Sequence, residues 1–115
     1  MKKGQSYYSQ DSDWFYKLYA RENQLDYLQL CILDLLREAG GAMTWMAILN
    51  TLSYPAVSLR DTARELEWDG LVEPTPDGLT LTEFAEFSVY EILDDLHCKM
   101  EETLFTEDVT PNLAA

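Results

Sequence analysis

Residues 64–83 read Arg64-Glu65-Leu66-Glu67-Trp68-Asp69-Gly70-Leu71-Val72-Glu73-Pro74-Thr75-Pro76-Asp77-Gly78-Leu79-Thr80-Leu81-Thr82-Glu83, and this stretch decides the fold. Its first six residues end a helix, Gly70 supplies the stop, and Leu71 is placed to cover the last helical turn. Val72 then opens a short strand. Pro74 to Gly78 carry turn chemistry, and the alternation Leu79-Thr80-Leu81-Thr82 makes a second strand, so the segment predicts a small hairpin delivered straight from a helix. Leu66 and Leu71 are then buried together, and the hairpin is held against the helix it follows.

Upstream, the helix that ends at Gly70 is predicted to open at Ser58, with Asp61 three residues on as a capping-box partner and Leu59, Ala63 and Leu66 on one side. Before it, Thr44 caps a short helix carrying Met46, Ile48, Leu49 and Leu52, and Ser53-Tyr54-Pro55 forces a turn. That break lets the two helices cross steeply instead of continuing as one rod. Leu25, Leu28, Ile32, Leu35, Leu36 and Ala39 fall at helical spacing, and Gly40-Gly41 ends that helix. Six aromatics crowd the start of the chain (Tyr7, Tyr8, Trp14, Phe15, Tyr16 and Tyr19), with Asp11, Ser12 and Asp13 as caps for a further helix to about Arg21. Downstream, one long helix is predicted over residues 83–106, with Ala85, Val89, Ile92, Leu93, Leu96, Met100 and Leu104 along one stripe.

With these elements in order, the Arg64 to Glu73 run and the Asp77-Gly78 tip with its return Leu79-Thr80-Leu81-Thr82-Glu83 resemble the winged helix-turn-helix superfamily. The likeness is greatest to small bacterial regulators of the multiple-antibiotic-resistance and phenolic-acid-repressor type, and it covers about Leu25 to Leu93. It implies an α+β fold with a three-helix core and a two-stranded wing, an extra N-terminal helix and a long C-terminal helix. It also implies DNA binding by the third helix and dimerisation through the flanking helices. The expected organisation is an aromatic docking or dimerising segment over 1–24, the winged-helix core over 25–82, the long helix over 83–106 and a flexible tail over 107–115.

Charge sets this chain apart from that picture. Its 115 residues hold 8 Lys or Arg against 21 Asp or Glu, a net charge of −13. Duplex DNA is met by basic side chains, six to ten phosphate contacts in a tight complex. The candidate DNA-contacting residues are Ser58, Arg60, Asp61 and Arg64, and residues 58–82 carry six acids against two bases. The predicted hairpin has no Lys or Arg; Glu73 and Asp77 stand where related wings carry a basic residue. Local pairing of the two arginines with Asp61 or Glu67 is the plain alternative to base or phosphate contact.

Residues 83–108 carry nine acids and one base, and Glu91, Asp94, Asp95, Glu101 and Glu102 form an acidic interaction face opposite the apolar stripe. The charge balance therefore favours a non-enzymatic regulator acting through protein contacts of that face, with a basic partner. The alternative is a dimeric, sequence-specific DNA-binding regulator. Trp14, Phe15, Tyr19, Phe84, Phe87, Leu93, Leu96, Met100 and Leu104 are the residues assigned to packing and to a homodimer, because the final helix outruns a core of this size.

Catalysis and cofactors find no support. There is no Gly-rich phosphate loop or nucleophile elbow, and no zinc spacing. Asp94, His97 and Glu101, with Cys98 alongside, share a helix face but make only half of a carboxylate-bridged set, so no metal is expected. Without an apolar leader or span, the expected location is the cytoplasm, with Cys31 and Cys98 reduced and no membrane partner.

Overall fold

The computed structural model describes residues 13–102. In chain order, α1 is Asp13–Glu22, α2 Tyr27–Glu38, β1 Ala42–Thr44, α3 Trp45–Thr51, α4 Ala56–Trp68, β2 Val72–Thr75, β3 Gly78–Leu81, α5 Glu83–Ser88 and α6 Tyr90–Met100. Asp11, Ser12, Leu104 and the segment 107–115 lie outside the described residues.

Local chemistry explains most of the boundaries. Asp26 caps α2 by accepting from the Gln29 amide at 3.0 Å, and Thr44 caps α3 by accepting from Ala47 at 3.1 Å. Helix α4 ends at Gly70, whose φ of +78° is open to glycine at little cost; Leu71 N–H returns to Leu66 O and Gly70 N–H to Glu67 O, both at 3.0 Å. Helix α4 starts two residues before Ser58, however. Pro55 is its N-cap, no side chain caps it, and Ser58 lies inside the first turn, where its carbonyl accepts from Thr62 Oγ1 at 2.9 Å. A proline already set at φ −58° starts the helix without a capping hydroxyl, so the Ser58–Asp61 capping box does not form.

The hairpin is present, with Pro76 and Asp77 as its two-residue turn and Val72 paired with Leu81. It belongs to a three-stranded antiparallel sheet in the order β1-β3-β2, because Ala42, Met43 and Thr44 pair with Thr80, Leu79 and Gly78. Three residues between a helix stop and a helix cap carry no periodicity, and β1 is strand only because β3 offers it a free edge. Pro74 sits on edge strand β2, where a missing amide costs little.

The expected helix over 83–106 is broken at Val89. There φ is −122° and ψ −14°; the Val89 amide closes α5 on Ala85 O at 2.9 Å, and its carbonyl opens α6 by accepting from Leu93 at 3.0 Å. The bend keeps both of these backbone bonds, and it turns Leu93, Leu96 and Met100 into the core, each at 1% exposure or less. A straight rod would carry that stripe past the other helices, and each such side chain contributes about 1.5–3 kcal/mol when buried. They join Tyr16, Ile32, Leu36, Ile48, Leu52, Leu59, Leu66, Val72 and Leu79 in one core.

Gly78 is where the sheet is tightest. A Cβ there would lie 1.9 Å from the Met43 carbonyl oxygen and 2.7 Å from Thr44 Cα, both backbone atoms of the neighbouring strand. Gly78→Ala is therefore expected to cost about 3 kcal/mol, by parting β1 from β3. Urea denaturation against the unsubstituted chain measures it; an unchanged midpoint would contradict this close approach.

Candidate functional site

Two groups of side chains stand out, one exposed on α3 and α4 and one buried between α1, α2 and α6.

On α4, Arg60, Asp61 and Arg64 are exposed and Ser58 is half-buried. Neither arginine makes an ion pair with a described residue; the pairs that form are Lys17–Asp13, Arg37–Asp94, His97–Asp34 and Lys99–Asp95. The local neutralisation by Asp61 or Glu67 is thus absent. Arg60 instead lies over the Trp45 ring, 5.0 Å from its centroid, which fixes a flexible cation against the first residue of α3. Trp45 also donates its amide to the Asp77 carbonyl at 2.8 Å, so hairpin tip, α3 and α4 are joined on one face. Glu65 accepts from Gln29 Nε2 at 3.1 Å, while Met46, Val57 and Trp68 project into solvent. Glu73 and Asp77 are exposed on the hairpin.

The acidic face on α6 is partly neutralised. Glu91, Asp94, Asp95, Glu101 and Glu102 are all exposed, but Arg37 from α2 pairs with Asp94 and also donates to the Tyr90 carbonyl at 3.3 Å. Asp95 accepts from Tyr19 Oη at 2.7 Å and lies 3.9 Å from Lys99. Two of the five carboxylates therefore hold α6 to its neighbours, and their partners beyond Lys99 come from other helices, where a helical wheel cannot place them.

The residues assigned to packing divide. Phe15, Tyr19, Leu93, Leu96 and Met100 are buried in their own chain's core, so this stripe needs no second copy to cover it. Trp14, Phe84 and Phe87 are exposed, with Phe87 at 84%; Trp68, at the end of α4, reaches 90%. Phe84 approaches the position a Gly70 Cβ would occupy, which sets α5 beside the end of α4.

The buried group went unseen in the sequence. Asp34 is fully buried in α2; its Oδ2 accepts from Tyr16 Oη at 2.6 Å, and its Oδ1 accepts from His97 Nε2 at 2.6 Å. Burial pulls the His97 pKa down, but the hydrogen bond and charge of Asp34 outweigh it and the net shift is upward. Glu38, one turn beyond Asp34, is pushed up by burial and by the Asp34 charge. Asp34, Glu38 and His97 each bring a ligand atom within 4.8 Å of the others, whereas Asp94, His97 and Glu101, which share a face of the last helix and were not expected to hold a metal, form no such group among the described residues. The available signal was Asp34 itself, the only charge between Asp26 and Arg37, flanked on both sides by apolar residues from Leu30 to Leu36. Both cysteines are free; burial raises the Cys31 thiol pKa, and Glu102 raises that of exposed Cys98. A separate apolar cavity of about 130 Å³ lies between α2 and the Val89 bend, lined by Leu25, Leu30, Leu33, Leu71, Ile92 and Leu93 among others.

No family model matches the chain, and no curated protein resembles it in sequence. Two solved structures share its fold. One is the organohalide-sensing transcriptional regulator RdhR in its ligand-free form, with a TM-score of 0.60 and 20% identity over 91% of this chain and 71% of that one. The other is ligand-free NadR, with a TM-score of 0.61 and 25% identity over 87% of this chain and 82% of that one. The likeness shows the fold of this chain, which these two proteins share. No helix among the described residues is long and apolar enough to cross a membrane.

Tyr16→Phe tests the buried group. It keeps the ring and removes one hydrogen bond to a buried carboxylate, so a loss of about 1.5–3 kcal/mol is expected in urea denaturation. A change below about 0.5 kcal/mol would mean that water replaces the tyrosine and that the site is not sealed.

Proposed function

We propose that this chain is a winged-helix transcriptional regulator, similar to the multiple-antibiotic-resistance type, that meets DNA with the α4 face. The observation that carries the reading is that Arg60 and Arg64 stand exposed on α4 with neither guanidinium in an ion pair with a described residue. In this mode the second helix of the pair enters the major groove, and a fork-shaped guanidinium suits guanine or phosphate. Arg60, stacked on Trp45, loses little side-chain freedom on contact.

The charge of the surrounding surface shapes what such binding looks like. With Glu73 and Asp77 on the hairpin, the wing adds no phosphate contact, and the two α4 faces of a homodimer offer Arg60 and Arg64 twice over, four arginines. That corresponds to a salt slope no steeper than about −4, against about −10 for a repressor with many phosphate contacts. The dimer belongs to the proposal, resting on the exposed aromatics Trp14, Phe84 and Phe87 and not on the buried stripe of α6.

A second reading keeps the acidic face as the working surface, meeting a basic protein partner in the cytoplasm through Glu91, Asp94, Asp95, Glu101 and Glu102. The observation in its favour is the run of nine acids against one base over residues 83–108. Fluorescence anisotropy with duplexes from the protein's own upstream region, at 50 and 200 mM salt, separates the two. Sequence-dependent binding lost in Arg60→Ala and Arg64→Ala is expected. No binding at the lower salt, or binding indifferent to both substitutions, removes the DNA reading and leaves the acidic face.

A further inference from the structure

We infer that Asp34, Glu38 and His97 form a binding site for one divalent transition-metal ion of the zinc type, joining α6 to α2. Three observations converge on it, and none depends on the DNA reading. The ligand atoms of the three residues already lie within 4.8 Å of one another, two from successive turns of α2 and one from α6. The central ligand is preorganised: Asp34 is fully buried, and the Tyr16 hydroxyl, itself fully buried, holds Oδ2 at 2.6 Å and leaves Oδ1 facing His97. A hydrogen-bonded outer partner of this kind is what orients a ligating carboxylate in metal sites. Finally, Glu38 is half-buried beside Asp34 yet makes no hydrogen bond or ion pair with a described residue. The nearby cation Arg37 is turned to Asp94 and Tyr90 instead.

The donor set fixes the class of ion. One imidazole nitrogen and two carboxylate oxygens suit zinc and its neighbours better than calcium, which takes six to eight oxygens, and three protein ligands leave a fourth position for water. His97 Nε2 and Asp34 Oδ1 now share a proton at 2.6 Å. Tetrahedral bonds of ~2.0 Å put two ligand atoms about 3.3 Å apart, so the pair need open by less than about 1 Å. Binding displaces that proton from Nε2: an imidazolium releases it to solvent, and a neutral imidazole carries it on Nδ1 instead. The bound ion then fixes the C-terminal helix on the helix that carries the rest of the core, which gives the fold a metal-responsive element.

The site is tested on the full chain after chelator treatment, by titrating Co²⁺ and reading its visible absorption, then displacing it with Zn²⁺. One Co²⁺ per chain is expected, bleached by Zn²⁺, with a rise in Tm on Zn²⁺ addition. His97→Ala should abolish the band, and Glu38→Gln should weaken binding at least tenfold. Cys98→Ser and Asp94→Asn should leave it unchanged, which separates this site from a surface set on α6 alone. Absence of the band, or equal binding by Glu38→Gln and the unsubstituted chain, overturns the proposal, as does loss of the band in Cys98→Ser. If His97→Ala fails to fold, Glu38→Gln decides, because the Glu38 carboxylate makes no hydrogen bond or ion pair with a described residue.

Discussion

A carboxylate with no solvent contact, Asp34, is the constraint on which the assembly of the helices depends. Left alone in an apolar helix it would cost several kcal/mol, and it is tolerated because Tyr16 from α1 and His97 from α6 converge on its two oxygens. Neither partner is near it in sequence. The three helices therefore reach their native arrangement together or leave a buried charge unpaired. That makes the core specific in a way that aliphatic packing alone cannot be, since apolar side chains tolerate many alternative alignments while a hydrogen-bonded carboxylate accepts few. Ile32, two residues before Asp34 in α2, fills the core but selects no partner helix.

The same arrangement redistributes a strongly acidic chain. Two of the carboxylates on α6 are engaged by Arg37, Tyr19 and Lys99, so the net charge of −13 is not spread evenly over free surface. Arg37 serves α6, and the arginines of α4 are left without carboxylate partners among the described residues. A helix with three acids and two bases thus presents its cations unpaired, one of them fixed on Trp45. Net charge describes the long-range field; which cation is available at contact range depends on where the acids point.

The bend at Val89 has a comparable consequence for the surface. By turning α6 inward it encloses the apolar stripe within one chain, and it leaves Phe84 and Phe87 outside on α5. An amphipathic stripe on a terminal helix suggests an interface when the helix is taken as straight. A two-part helix gives that stripe to the core and shows a different set of aromatics to solvent.

What the sequence by itself determined is local: the helix stops at Gly40 and Gly70, the cap at Thr44, and the hairpin between Val72 and Leu81. Each rests on φ/ψ preferences or on hydrogen bonds spanning three or four residues, and those are written in neighbouring side chains. Tertiary structure alone decided the strand Ala42–Thr44, the break at Val89 and the meeting of Tyr16, Asp34, Glu38 and His97. Each of these depends on a partner distant in sequence: a free strand edge, a core to be filled, a charge to be satisfied. Periodicity records which face of an element is apolar, but not which element comes to cover it.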